Sequence, residues 1–129
     1  RQRPDLAINK FAGLILAGEP IEMFGDGTTS RDYTYIDDIV AGVRAAIDRC
    51  RGYEIINLGS TRPITLTDMI ATVADACGRE PIIETKPMQP GDVNQTFADI
   101  EKAARLLDYK PTTPFAQGVE RQVEWLRSC

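Results

Sequence analysis

The chain has no histidine and three widely spaced cysteines, Cys50, Cys77 and Cys129. Zinc sites and Ser-His-Asp or Cys-His catalysis therefore have poor raw material. What remains for chemistry is arginine and carboxylate carried on loops. Arg31 stands inside Phe24-Gly25-Asp26-Gly27-Thr28-Thr29-Ser30-Arg31-Asp32-Tyr33-Thr34-Tyr35-Ile36-Asp37-Asp38. Gly25 and Gly27 flank Asp26 in what reads as a turn needing positive φ. Arg31 then precedes the aromatic, β-prone run Tyr33-Thr34-Tyr35. The spacing suits a loop that presents one guanidinium to an anion. It equally suits an ordinary hairpin whose arginine pairs with a neighbouring carboxylate. A second loop, Lys86-Pro87-Met88-Gln89-Pro90-Gly91-Asp92-Val93, is too elaborate for a plain connector. Its Asp92 reads either as a hydrogen-bond acceptor for a ligand or as a turn residue after glycine. Arg1 and Arg3 either flank an anion or form a solvated terminus. Asp37 and Asp38 resemble a paired-carboxylate acid/base site, but their place suits helix-start electrostatics better.

Those loops must be held by the elements between them. Residues 5–17 read as a helix, with Asp5 as N-cap, Ile8, Phe11 or Ala12, and Ile15 on one face, and Gly18 as its stop. Pro20 to Phe24 alternates like a strand, with Ile21 and Met23 on one side. Ile36 to Cys50 shows apolar residues at helical spacing (Ile36, Ile39 or Val40, Val43, Ile47, Cys50), and Gly52 closes it. Tyr53 to Leu58 reads as a strand. Thr65 and Asp68 form a capping-box variant for a helix from Leu66 to Cys77 that turns Ile70, Val73 and Cys77 inward and stops at Gly78. Pro81 to Glu84 is a short strand. Asp99 caps a helix to about Leu107, and Thr113-Pro114 opens the last helix with Val119, Val123 and Leu126 as its stripe. Trp125 lies off that stripe and is expected in the core. The sum is a small α/β layer of about five helices and short strands, with too few consecutive strands for a complete doubly wound sheet.

Composition excludes other classes. The 129 residues have room for one modest domain, 43% hydrophobic and 26% charged. The net charge of −4, without a basic run, argues against a nucleic-acid surface. An anionic ligand would have to be met by individual arginines against an unfavourable net field. No apolar run is long enough for a bilayer and no secretory leader is read, so no membrane partner and a cytoplasmic location with reduced thiols are expected. Because the chain begins at Arg1, it is expected to be a piece of a longer protein.

The string FGDGTTSRDYTYIDDIVAG, together with Arg1-Gln2-Arg3-Pro4-Asp5 and Met88-Gln89-Pro90-Gly91-Asp92, resembles the C-terminal region of the extended short-chain dehydrogenase/reductases. Within them it is most similar to the nucleotide-sugar epimerases, and there to the UDP-glucuronate 4-epimerases. Each motif is weak alone; the combination, spread over the whole chain, is specific. The resemblance implies that residues 1–129 are the nucleotide-sugar substrate-binding domain of a Rossmann-type enzyme whose dinucleotide-binding half is absent here. It implies that Arg31 contacts a UDP diphosphate and that Asp92 accepts from ribose hydroxyls. It also implies that the segment containing Ile21, Met23 and Phe24 lies along the uracil, with Phe24 as a packing partner. Arg3 is implied to contact a sugar carboxylate, which points to a UDP-hexuronate. Gln89 departs from the arginine that many members carry, removing one positive charge from the diphosphate site. The parent is implied to use NAD, to be a homodimer, and to complete the large parallel sheet of its dinucleotide domain with the Tyr53–Leu58 strand.

Two family motifs are missing from this sequence: the glycine-rich dinucleotide turn and the Tyr-x-x-x-Lys pair. No catalytic residue is therefore assigned, and NAD is not expected to be held by this chain alone. A sister reaction (a decarboxylase or a 4,6-dehydratase) and a non-catalytic sugar-nucleotide binding module are the alternatives.

Overall fold

A computed structural model describes residues 6–129. In chain order the elements are α1 (Ala7–Ala17), β1 (Ile21–Phe24), β2 (Ser30–Arg31), α2 (Ile36–Arg49), β3 (Ile64–Thr65), α3 (Leu66–Cys77), β4 (Ile83–Lys86), β5 (Gln95–Thr96), α4 (Glu101–Leu107) and α5 (Phe115–Arg127). The α/β class with five helices and short strands agrees with the sequence. The expected N-cap Asp5 lies outside the described residues, and Leu6 takes the extended N-cap position.

Helices α1, α3 and α5 meet along the stripes that the sequence marks. Phe11, Ala12 and Ile15 of α1 pack with Ile70, Val73 and Cys77 of α3 and with Val119 and Val123 of α5; Ile21 of β1 is fully enclosed among them. Helix ends follow their local signals. Gly18 and Gly78 adopt left-handed φ of 76° and 63°, a conformation that costs a side-chain-bearing residue energy. Thr65 accepts the Asp68 N–H at 3.1 Å and donates its hydroxyl to the Asp68 carboxylate at 2.8 Å. Arginines finish the job at long range: Arg79 donates to the Leu16 carbonyl at the end of α1, and Arg127 to the Cys77 carbonyl at 2.9 Å.

A second, smaller cluster forms around Ala103, Leu107 and Tyr109, covered by Ala45, Ala46, Cys50, Ile56 and Leu58. It reverses the expected orientation of α2. The inward face is the small-residue one, with Asp38 and Gly42 buried and Ala45 and Ala46 packed against α4. The branched stripe points outward, Ile47 being 74% and Ile36 61% exposed. Periodicity reports that α2 is two-faced; it cannot say which face meets this chain's own core. The helix ends at Arg49, with Cys50 as an extended C-cap; Gly52, at φ 75°, lies beyond it.

The remaining differences concern strands and one cap. Tyr53 to Leu58 forms no ladder among the described residues, and Tyr53 is 86% exposed. A strand needs a partner for its N–H and C=O groups, and none is beside it here. The expected strand at residues 81–84 begins two residues later, because β4 is set by its parallel register with β1, Ile21 opposite Ile83 and Phe24 opposite Lys86. Tyr33 to Tyr35 is not in a strand, since β2 ends at Arg31. Pro114 is the N-cap of α5 rather than its first helical residue. Trp125 is 40% exposed rather than core.

Candidate functional site

The site is organised by β2, the middle strand of three. Ser30 and Arg31 pair antiparallel with Thr65 and Ile64 of β3 and parallel with Gln95 and Thr96 of β5. The turn before β2 is the glycine turn expected from sequence: Gly25 and Gly27 have φ of 80° and 83°. The Asp26 carboxylate accepts the Thr28 N–H at 3.0 Å and its hydroxyl at 2.6 Å, and these bonds hold Asp26 below the ordinary aspartate range. The Gly27 carbonyl accepts the Thr67 N–H at 3.1 Å, which fastens the turn to the start of α3.

The two loops singled out in the sequence touch. Gly25 donates to the Lys86 carbonyl at 2.9 Å, and Ser30 donates to that of Asn94 at 2.8 Å, so the 87–93 loop is anchored at both ends to the segment carrying Arg31. The Met88 sulfur lies 2.9 Å from where a Cβ on Gly25 would stand, so a side chain there would displace Met88 as well as strain a backbone at φ 80°. Across the gap the Arg31 guanidinium donates to the Asp92 carboxylate at 2.5 Å. Its other terminal nitrogen donates to the Ser30 carbonyl at 2.8 Å. Asp92 in turn donates its N–H to the Gln89 carbonyl at 3.3 Å in a tight turn. Arg31 and Asp92 therefore meet although 61 residues separate them, and Gln89 takes part through its backbone carbonyl. The side chains of the ion pair are 30% and 38% exposed. A pair that open contributes about 0–1 kcal/mol, so a ligand with two negative charges can compete for the arginine.

The β1 residues divide. Ile21 is fully buried, so its side chain is not free for a ligand, and Met23 is partly buried against the main core. Phe24 is half-buried, faces Lys86 in register and ends where the glycine turn begins. Arg3 lies outside the described residues.

Two carboxylates that the sequence reading did not single out as site residues are pinned by hydrogen bonds. Asp32 Oδ1 accepts from the Ser60 N–H at 3.0 Å and from the Ser60 hydroxyl; Oδ2 accepts the Thr61 and Ala98 N–H groups, each at 3.1 Å. Partial burial pushes its pKa up, but the bonds from Ser60, Ala98 and Thr61 outweigh that and hold it below the ordinary range. Asp38, 6% exposed, accepts from Thr112 and Thr113 at the entry to α5. Its burial is likewise outweighed by the Thr112 and Thr113 bonds, so its pKa is also lowered. Asp38 is thus more than a helix-start charge: it holds the entry to α5. No local signal marks either role, since the donors lie 28 to 75 residues away.

Tyr33 is a packing residue: its ring centroid lies 5.4 Å from that of Phe115, and burial raises its pKa, with Arg31 opposing. Arg121 lies 5.2 Å over the Tyr35 ring and 3.5 Å from the Asp37 carboxylate. A groove of about 470 Å³ runs beside Asp32, Asn57, Thr96 and Phe97. The larger concavity, about 520 Å³ between Ile8, Tyr35, Phe115 and Trp125, is away from Arg31 and Asp92. Charge placement, rather than volume, marks the site. Among the described residues no group of three or more His, Cys, Asp or Glu could hold a metal ion. The glycine turn after β1 runs into β2 rather than into a helix N-terminus, so it does not build a dinucleotide pyrophosphate cradle. Among the described residues no helix is long and apolar enough to cross a membrane.

Comparison with known proteins follows the same lines. The sequence profile of the GDP-mannose 4,6 dehydratase family matches residues 2–122. A UDP-glucuronate 4-epimerase of Thermodesulfobacterium geofontis is 41% identical over 124 residues, covering 95% of this chain and 38% of that protein. The crystal structure of the Bacillus cereus UDP-glucuronic acid 4-epimerase in complex with UDP-glucuronic acid and NAD superposes with a TM-score of 0.92 at 35% identity, over 99% of this chain and 41% of that one. A UDP-glucose 4-epimerase of Thermotoga maritima, solved with UDP-glucose, gives 0.89 at 31% identity over 99% and 42% of the two chains. The chain spans about two fifths of the length of the relatives it matches.

Proposed function

This chain belongs to the GDP-mannose 4,6 dehydratase family, and on that premise we propose that it is the nucleotide-sugar-binding portion of an NAD-dependent epimerase acting at C4 of a UDP-hexuronate. One observation carries the reading: Arg31 and Asp92, from loops 61 residues apart, meet as an accessible ion pair at the end of β2. A guanidinium so placed can exchange one carboxylate oxygen for two diphosphate oxygens, with charge-assisted bonds of about 1.5–3 kcal/mol each. Asp92, once released, can accept from two vicinal ribose hydroxyls. Phe24, half-buried at the end of β1, would be the packing partner for the uracil.

Such a division of labour leaves the redox step to NAD, which the parent would hold with residues other than these; the cofactor would oxidise C4 and reduce it from the other face. This chain's share is to grip the nucleotide while the sugar turns. The preference for a uronate rests on Arg3 as a bidentate partner of the sugar carboxylate. A cytoplasmic, homodimeric parent fits the same reading. The test is UDP binding by calorimetry in the full-length protein that carries this chain. Arg31→Ala is expected to weaken UDP at least about tenfold, the equivalent of about 1.4 kcal/mol; unchanged affinity would refute the assignment.

A further inference from the structure

Asp32 follows Arg31 directly, yet the proposed UDP contacts do not use it. Its carboxylate accepts from the segments that flank both neighbours of β2. Ser60 and Thr61, which donate to it, belong to the turn that leads into β3, and Ala98, which also donates, lies two residues beyond β5. β3 and β5 are the two neighbours of β2, and each ladder is only two residue pairs long. Ladders that short hold a strand weakly, and a slip of one residue would turn Arg31 to the opposite face. Gly59 makes the clamp possible: a Cβ there would stand 2.5 Å from that of Ala98 and 2.7 Å from Asp32 Oδ2.

We propose that Asp32 is a positioning residue for Arg31: its carboxylate gathers the ends of β3 and β5 around β2 and so fixes the direction in which the guanidinium meets the diphosphate. The inference rests on Arg31 being the diphosphate contact. It requires an acceptor with both oxygens available, because the Oδ1 and Oδ2 donors approach from different segments. An amide in its place would set an N–H₂ group against the Thr61 and Ala98 N–H groups, or against Ser60.

The experiment is UDP titration by calorimetry on the full-length protein, as wild type, Arg31→Ala, Asp32→Asn, the double variant and Asp38→Asn. Asp32→Asn is expected to weaken UDP about tenfold, and in the Arg31→Ala background to cost less than about twofold more. Asp38→Asn removes another hydrogen-bonded carboxylate, at the α2–α5 junction, and is expected to leave affinity within about twofold. If Asp32→Asn does not fold, Ser60→Ala removes the hydroxyl that donates to Asp32 and accepts the Arg62 N–H, and keeps the Ser60 N–H bond; it is expected to weaken UDP about threefold, and not at all without Arg31. The proposal is overturned if Asp32→Asn or its Ser60 substitute binds like wild type while Arg31→Ala is impaired. It is equally overturned if the two losses multiply, or if Asp38→Asn costs as much as Asp32→Asn. A wild type that does not bind UDP, or an Arg31→Ala variant that binds normally, would instead overturn the assignment of Arg31 itself.

Discussion

Replacing Asp38 by Asn keeps the volume and removes one charge, so its cost reads the hydrogen bonds at the entry to α5 together with the charge at the start of α2. Oδ1 accepts the Thr112 N–H at 3.1 Å and the Thr112 hydroxyl at 3.2 Å, while Oδ2 accepts the Thr113 N–H at 3.0 Å. An asparagine can keep its oxygen toward Thr112, but its amide nitrogen then faces the Thr113 N–H. One charge-assisted bond is lost and one buried donor is stranded, together about 2–3 kcal/mol. Against a total stability of about 5–15 kcal/mol that is a large fraction. Urea denaturation of the chain, followed by the fluorescence of its single tryptophan, Trp125 on α5, reads the region directly. The acid limb supplies a second, independent reading. The folded pKa of Asp38 lies below its ordinary value of 3.8, so the unfolded chain takes up this proton more readily. The contribution is complete above the ordinary value and is lost as pH falls through the folded one. Wild type should therefore lose more stability than Asp38→Asn between about pH 5 and pH 2, and the two curves should converge. A loss below about 1 kcal/mol at pH 7, or two curves that stay parallel into acid, would refute the reasoning.

Three further substitutions test other parts of the scaffold. Gly59→Ala would press its methyl against the Ala98 methyl and the Asp32 carboxylate and is expected to cost about 1–3 kcal/mol in the same denaturation assay. Thr61, a β-branched residue at φ 59°, is held in the left-handed region by its N–H bond to Asp32; Thr61→Asn should raise stability by about 0.5–1 kcal/mol, since asparagine tolerates that region better. Thr65→Ala removes the acceptor for the Asp68 N–H at the start of α3 and should cost about 1 kcal/mol, measured as a lower urea midpoint with unchanged slope.

Features with local causes were legible in the sequence. Gly18 and Gly78 stop their helices because a left-handed residue is needed there, and Thr65 with Asp68 starts α3 because the unpaired N–H groups need an acceptor within reach. The Ile70, Val73, Cys77 face and the Val119, Val123 face needed only helical period, and both are buried. Arg31 and Asp92 were both visible as loop residues, but not their pairing. What the sequence hid depends on distant partners. Asp32 and Asp38 owe their roles to N–H groups supplied from far along the chain, which no window of neighbouring residues contains. The α2 stripe misled because a face made of glycine and alanine packs more closely on α4 than the branched face could. Residues 53–58 have strand composition without a partner to pair with among the described residues.

The 61-residue separation of Arg31 and Asp92 has a consequence for the order of assembly. Closing a flexible loop of that length costs about 3.6 kcal/mol in chain entropy, taking 1.5RT times the logarithm of the residue count. An accessible ion pair returns about 0–1 kcal/mol, so this pair cannot close the loop itself. Closure must be driven by the packing of α1, α3 and α5 and by the parallel registry of β1, which precedes Arg31, with β4, which precedes Asp92. The binding loops are thus passengers of core formation and come together after it. A weakened core, even one altered far from Arg31, would disperse the site in proportion to the unfolded population. A lost binding signal therefore implicates Arg31 or Asp92 only once the fold of the variant has been measured.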